Sequence, residues 1–77
     1  MALRTFELKT PFIPLMSLLK ASGLAQTGGH AGILVEEEEV FVNGEIETRK
    51  RRKLLIGDVI SVNGIDEKIE IIAQKEA

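Results

Sequence analysis

The spacing of apolar residues changes at Val40, and this change divides most of the chain into a helical part and a β part. Between Pro14 and Glu37, apolar residues recur three and four positions apart, as on one face of a helix. From Val40 the period changes to two, with Val40 and Val42 alternating with Phe41, and Asn-Gly dipeptides at 43–44 and 63–64 favour tight turns. Two helices followed by several strands predict an α+β domain, in which a helix pair packs on a small antiparallel sheet.

Local signals set the expected bounds of each element. Alternation near the start predicts an added N-terminal strand, which Pro11 ends. Pro14 suits the first turn of a helix closed by Gly23, and Thr27 can cap the second helix. The predicted strands are 3–8, 40–42, 45–48, 59–62 and 68–72, and the predicted helices are 14–22 and 27–37. The predicted core is Leu18, Leu19, Leu24, Ala31, Leu34, Val40, Val42, Leu55, Val59 and Ile60.

Chain length and composition exclude several classes of function. With 77 residues the chain can build one core, so residues 1–77 are expected to form a single domain and a monomer. It has no cysteine and one histidine, which excludes a disulfide framework, a thiolate nucleophile and a His-based metal cluster. A domain of this size also has little room for a catalytic cavity. We therefore expect no enzyme activity, no metal and no cofactor.

The uncharged stretches indicate a chain outside the membrane. The uncharged stretch 10–19 is too short to cross a bilayer and contains Pro11 and Pro14. The start lacks the basic region and apolar run of a signal peptide. We expect a cytoplasmic protein with no membrane partner.

The positive charges are concentrated in one segment. The chain carries a net charge of −2, yet five of its ten basic residues lie side by side from Arg49 to Lys53. The remaining residues together carry −7. Because phosphate responds to charges within a Debye length of about 8 to 10 Å, this basic segment can attract a polyanion despite the overall acidity. The alternative is a solvated loop balanced by Glu45 and Glu47.

The acidic run Glu36–Glu39 has a different interpretation. Consecutive helical residues point about 100° apart, so four carboxylates in a row cannot converge on one metal ion. A solvated helix end is the favoured interpretation, although anions there oppose the helix dipole.

Three blocks of residues resemble a known family. They are the sequence from Leu18 to Ala31 with its Thr-Gly-Gly-His-Ala ending, the sequence Val-Phe-Val-Asn-Gly-Glu at 40–45, and the segment 49–58. Together, over about residues 14–62, they resemble the alpha-L RNA-binding domain named for small-subunit ribosomal protein S-four, most closely its small stand-alone YaaA-like members. The resemblance implies non-catalytic binding of structured RNA by a basic surface of the helix pair and hairpin loop. It also implies ribosomal RNA or an assembling ribosomal particle as the target.

The chemistry of the matching residues is compatible with that role. Thr27 followed by Gly28 and Gly29 leaves helix amides open to a phosphate, although a simple cap and turn would have the same sequence. His30 can donate to a phosphate or stack on a base. In the basic segment, arginine forks suit phosphate oxygens, and strand alternation prevents all five side chains from meeting the same RNA. We favour Arg49, Arg51 and Arg52, with Lys20 and Lys53 helping. The candidate RNA-binding residues are Lys20, Thr27, Gly28, Gly29, His30, Arg49, Lys50, Arg51, Arg52 and Lys53.

The aromatic residues favour a folded RNA over a single strand. Phe6, Phe12 and Phe41 are the only ones, too few and too scattered for a base-stacking platform.

Two residues depart from the family pattern. Gly32 stands where related sequences tend to carry a lysine or arginine, which removes a potential phosphate contact. Glu38 stands where a glycine usually follows the second helix, so it must accept a left-handed backbone or the helix end must differ.

Two other functions remain open. A protein-docking module could use the basic segment on an acidic partner. A ubiquitin-like carrier shares the turn pattern, but the chain ends Ala-Gln-Lys-Glu-Ala at 73–77 instead of the required Gly-Gly.

Overall fold

The computed structural model describes residues 2–74. Residues 75–77, part of the segment compared with the Gly-Gly end of a ubiquitin-like carrier, lie outside this range. The elements in chain order are β1 (Ala2–Leu8), β2 (Ile13–Pro14), α1 (Leu15–Ala21), α2 (Gly28–Glu36), β3 (Val40–Val42), β4 (Glu45–Ile46), β5 (Lys53–Leu54), β6 (Val59–Val62) and β7 (Glu67–Ala73). Within residues 2–74, neither helix has the length and apolarity needed to cross a membrane.

The main sheet has five strands in the order β1-β7-β6-β3-β4. Four of them pair antiparallel, and the N-terminal β1 adds to the edge of β7 in parallel, so the sheet is mixed. The predicted α+β class, with its helix pair, antiparallel sheet and added N-terminal strand, is confirmed. The sequence did not predict the second, two-stranded sheet, in which β2 pairs with β5 through Ile13–Leu54 and Pro14–Lys53.

One face of the main sheet packs against the helices to form the core. Alternate strand residues such as Ile60 and Ile71 are fully buried there, together with Leu18 and Leu19 of α1. The buried apolar residues are Leu8, Leu15, Leu18, Leu19, Leu24, Ala25, Ala31, Val35, Val40, Val42, Leu54, Ile60, Val62, Ile69 and Ile71.

Most predicted core residues are confirmed, with one clear error. Leu55 is 54% exposed, whereas its neighbour Leu54 is fully buried because β5 points Leu54 toward the core. Leu34 and Val59 are only partly buried, since Val35 and Ile60 occupy the inward positions.

Two of the element bounds that differ from the prediction have a clear structural cause. Pro14 precedes α1 as its N-cap, with an extended backbone, because it pairs with Lys53 in the small sheet. Strand β4 ends at Ile46 and not at residue 48, because the carboxylate of Glu47 accepts a hydrogen bond from the Arg49 amide at 3.0 Å and turns the chain.

The end of α2 is closed by a Schellman motif with a glutamate in the position that favours glycine. The amides of Glu38 and Glu39 donate to the carbonyls of Val35 and Leu34, at 3.1 and 3.0 Å. Glu38 has a φ of 59°, so of the two alternatives for this position the structure has the left-handed backbone. A side chain in this conformation costs about 1 kcal/mol.

We expect Glu38→Gly to raise the free energy of unfolding by about 0.5 to 1 kcal/mol, because glycine adopts this backbone without the Cβ penalty. Denaturant unfolding followed by circular dichroism measures the change. Glu38→Ala is the control, since it removes the same charge but keeps the Cβ. Equal stabilisation by both substitutions would assign the gain to charge removal and contradict the argument from backbone strain.

Candidate nucleic-acid interface

The basic segment, Arg49–Lys53, is held against the start of α1 by its backbone. The carbonyl of Arg52 accepts from the Leu15 amide at 2.9 Å, and the carbonyl of Lys50 accepts from the Met16 amide at 3.2 Å. Among the described residues no side chain caps α1, so these two carbonyls satisfy amides at its N-terminus that would otherwise lack acceptors. A turn closed by the Arg52 amide and the Arg49 carbonyl, at 3.2 Å, completes the segment.

A buried glutamate organises two of the arginines. Glu47 is 5% exposed and accepts hydrogen bonds from Arg49 Nε at 3.0 Å, Arg49 Nη2 at 3.3 Å and Arg52 Nη1 at 2.6 Å. It also accepts from the Arg49 amide. The carboxylate therefore fixes both the turn of the backbone and the direction of two guanidinium groups.

These contacts change the titration of Glu47. Hydrogen bonding from the Arg49 side chain lowers the pKa of Glu47 to about 2, with further lowering by Arg52 and the Arg49 amide; desolvation opposes the shift but is outweighed. The pair raises the pKa of Arg49 in turn. Both groups are charged across the physiological pH range.

Lys50 connects the basic segment to α2. An added Cβ at Gly32 would lie 3.8 Å from Lys50 Cε and from Met16 Cε, so the lysine stem passes directly over this glycine. The Lys50 ammonium forms an ion pair with Glu36. Gly32 has no cationic side chain of its own, but the stem of Lys50 occupies the space above it.

The acidic run is only partly a solvated helix end. Glu36 pairs with Lys50, while Glu37 and Glu38 are exposed. Within residues 2–74, no group of three or more His, Cys, Asp or Glu side chains is arranged to hold a metal ion.

Arg51 and Lys53 are the two cations of the basic segment with no carboxylate partner within residues 2–74. Both are exposed, and Lys53 Nζ lies 4.9 Å from the centre of the Phe12 ring. An open depression of about 530 Å³ is lined by Arg49, Arg51, Arg52 and Lys53. The segment thus presents four of its five cations around one concave surface.

The start of α2 forms a compact capped turn. Thr27 Oγ1 accepts from the His30 amide at 3.0 Å, which confirms its predicted capping role, and His30 Nδ1 accepts from the Gln26 amide at 3.2 Å. His30 Nε2 is therefore the ring nitrogen left for an outside partner. The amides of Gly28 and Gly29 have no acceptor within the described residues, and no atom crowds Gly28.

The predicted site residues do not all lie together. The basic segment contacts the N-terminus of α1 and, through Lys50, the middle of α2. Gly28 is four residues before Gly32, about 6 Å along the helix axis. Lys20 lies at the other end of α1 from the basic segment, in the last helical turn.

Sequence reasoning underrated two features of this surface. The sequence does not distinguish Glu45 from Glu47 as the charges that balance the basic segment, yet Glu45 is exposed and Glu47 is buried. Phe12 was counted only as a scattered aromatic, although its position between Pro11 and Pro14 holds it beside Lys53.

A family model of the S4 domain matches residues 6–72 of the chain. The protein belongs to the S4 domain family. Its relatives include "Putative RNA-binding protein YbcJ" of Escherichia coli, which is 39% identical over 70 residues that cover 90% of this chain and 97% of the relative. "Probable ribosome maturation protein RlbA" of Bacillus subtilis is 40% identical over 58 residues, 75% of this chain and 82% of the relative.

A solved structure has the same arrangement as this S4 domain. The solution structure of YbcJ from E. coli superposes with a TM-score of 0.66 at 36% identity, over 95% of this chain and 89% of YbcJ. It is described as revealing an "alfaL motif involved in RNA-binding". The predicted resemblance to the alpha-L family is therefore confirmed.

We expect Glu47→Gln to lower the free energy of unfolding of this S4 domain by about 1.5 to 3 kcal/mol, because it weakens charge-assisted hydrogen bonds at a buried position. Chemical denaturation at neutral pH measures this loss. Glu45→Gln is the matched control: it removes the same charge from an exposed position and should change stability by less than about 0.5 kcal/mol. Equal effects of the two substitutions would contradict the organising role of Glu47.

Glu47 also predicts a specific acid dependence. Its folded pKa of about 2 lies below its ordinary value of 4.5, so its contribution is complete above pH 4.5 and is lost as the pH falls through about 2. The stability difference between the parent and Glu47→Gln should therefore shrink progressively over that window. Urea unfolding at several pH values measures it, and a difference that stays constant from pH 5 to pH 2 would show that Glu47 does not titrate as described.

Proposed function

We propose that this protein binds structured RNA, without catalysis, through the basic segment and the adjoining helix surface. The observation that carries the proposal is a concave cationic surface whose backbone and two arginines are already fixed. Because the loop is ordered by Glu47 and by α1, little conformational freedom is lost when a polyanion binds.

Charge supports a phosphate ligand. Glu47 and Glu36 compensate two of the five positive charges, so the surface retains a net charge of +3. Arg51 and Lys53 have no carboxylate partner within residues 2–74, and the side chain of Arg49 is 72% exposed despite its ion pair. Arg51 can hold phosphate oxygens with its fork, while Lys53 adds a mobile point charge.

The candidate residues outside the basic segment belong to the periphery of the proposed interface. The Gly28 and Gly29 amides, with His30 Nε2, can donate to a second phosphate at the start of α2. Lys20, at the far end of α1, would be reached only by an RNA that extends along the helix pair. Arg49 and Arg52 serve the interface chiefly through their fixed positions, and Lys50 through the charge it keeps near α2.

The names of the relatives support a more specific target. YbcJ carries an RNA-binding name, and RlbA is named for ribosome maturation. Ribosomal RNA, or a ribosomal particle containing it, is therefore the proposed ligand, with the cytoplasm as the proposed location. Crosslinking the protein to RNA in cells and sequencing the attached fragments tests this target directly; enrichment of fragments unrelated to ribosomal RNA would refute it.

We expect binding of a structured RNA to weaken with salt at a log–log slope of about −2 to −4, from three to five neutralised phosphates. The double substitution Arg51→Gln with Lys53→Gln should make the slope shallower by about 1.5, because each lost phosphate contact contributes about 0.7 to 0.9. Fluorescence anisotropy with a labelled ribosomal RNA hairpin, from 50 to 300 mM salt, measures both values.

The matched control is Lys9→Gln with Lys68→Gln, which removes two exposed lysines outside the basic segment. It should leave the slope nearly unchanged. If both double variants alter the slope equally, the RNA responds to overall charge and the assigned surface is wrong.

A further inference from the structure

A second concavity opens beside the basic segment and differs from it in chemistry. It has a volume of about 400 Å³, with three apolar side chains and two cations among its lining residues. Its lining residues are Phe12, Pro14, Met16, Ser17, Arg51 and Lys53. Arg51 and Lys53 also line the depression of the basic segment, so the two concavities share these side chains.

The local sequence fixes the aromatic side of this cleft. Phe12 stands directly before β2, and the pairing of Pro14 with Lys53 brings the two chain segments together. The Phe12 carbonyl accepts from Thr10 Oγ1 at 2.6 Å, which restrains the backbone next to the ring. Although Phe12 is a large apolar residue, it is 37% exposed and lies outside the hydrophobic core.

An apolar cleft bordered by two cations suits a ligand with one flat apolar part and one anionic part. A nucleotide has both, since a base can stack on an aromatic ring while its phosphate lies near Arg51 or Lys53. The cleft volume is at the small end of the range for ligand sites, which accommodates one base but not a stack of bases.

Lys53 covers the Phe12 ring in the free protein and can give way to a base. The ammonium lies 4.9 Å from the ring centre, and its side chain is exposed. A cation–ring contact at an exposed site is weaker than base stacking on the same ring. A displaced Lys53 remains beside Arg51, where the phosphate of the stacked nucleotide would lie.

We infer that this cleft receives a single unpaired base of the bound RNA, stacked on Phe12, with its phosphate held by Arg51 and Lys53. The inference rests on the proposed RNA binding and adds a preference to it: an RNA helix with a bulged nucleotide binds more tightly than one without an available base. Phe12 and Met16 then act in ligand selection, whereas the basic segment supplies attraction independent of sequence.

The test compares two RNA hairpins that differ only at one bulged position. One carries the fluorescent base 2-aminopurine there, and the other carries an abasic nucleotide, so the phosphate count is equal. The parent protein should bind the first at least about fivefold more tightly and change its fluorescence. Phe12→Leu should bind both hairpins equally, with the affinity for the abasic hairpin unchanged, while Phe12→Tyr, which keeps the ring, should retain the preference.

The control variant is Phe6→Leu, which changes an aromatic residue outside this cleft, and thermal unfolding confirms that each variant is folded. Equal binding of both hairpins by the parent would refute the base site while leaving the RNA-binding proposal intact. Failure of the parent to bind either hairpin would refute both. A further competitor is an acidic peptide containing phenylalanine. If it displaces the 2-aminopurine hairpin from the cleft as effectively as unlabelled hairpin does, the cleft belongs to a protein partner and the inference is overturned.

Discussion

The buried carboxylate of Glu47 is the interaction on which the rest of the cationic surface depends. Five adjacent cations repel one another, and an unrestrained loop would spread them into solvent. Glu47 accepts from the side chains of Arg49 and Arg52 and from the Arg49 backbone, so one group orders both the turn and the charges. The negative charge of Glu47 lowers the net positive charge of the surface by one, but it leaves the outward parts of the basic segment in a defined geometry.

The first amides of the two helices differ in their hydrogen-bond acceptors, and this difference bears on where the proposed interface lies. The first amides of α1 donate to carbonyls of the basic segment, so they position the loop and already have acceptors. At α2, Thr27 accepts from only one amide and the glycine amides remain without acceptors in the described chain. One helix end therefore supports the cationic loop, whereas the other is the place proposed for a second phosphate. The Lys50 side chain, lying over Gly32 and paired with Glu36, joins the two regions.

The sequence predicted those features that depend on local spacing and turn chemistry. The change of period at Val40 and the Asn-Gly turn at 43–44 predict the helix pair and the hairpin, and the left-handed backbone of Glu38 is one of the two outcomes expected from its place after α2. The features that were missed depend on contacts between distant segments. The pairing of Pro14 with Lys53 joins residues 39 positions apart. Without this pairing, the spacing of apolar residues does not show that Leu54 is buried and Leu55 is exposed. Likewise, Glu45 and Glu47 lie two positions apart, so strand alternation treats them alike, and only the fold decides which carboxylate is buried.

The overall negative charge gives the cationic surface a directional role. The part of the chain described by the structure extends over 39 × 25 × 22 Å, several times the Debye length of about 8 Å at physiological salt. Opposite faces therefore act on a polyanion almost independently. Outside the basic segment the chain carries −7, so most other approaches of a phosphate backbone are repelled while this face attracts it. A uniformly basic domain of this size would attract a polyanion in many orientations, whereas this charge distribution favours encounters that bring the polyanion to the basic segment.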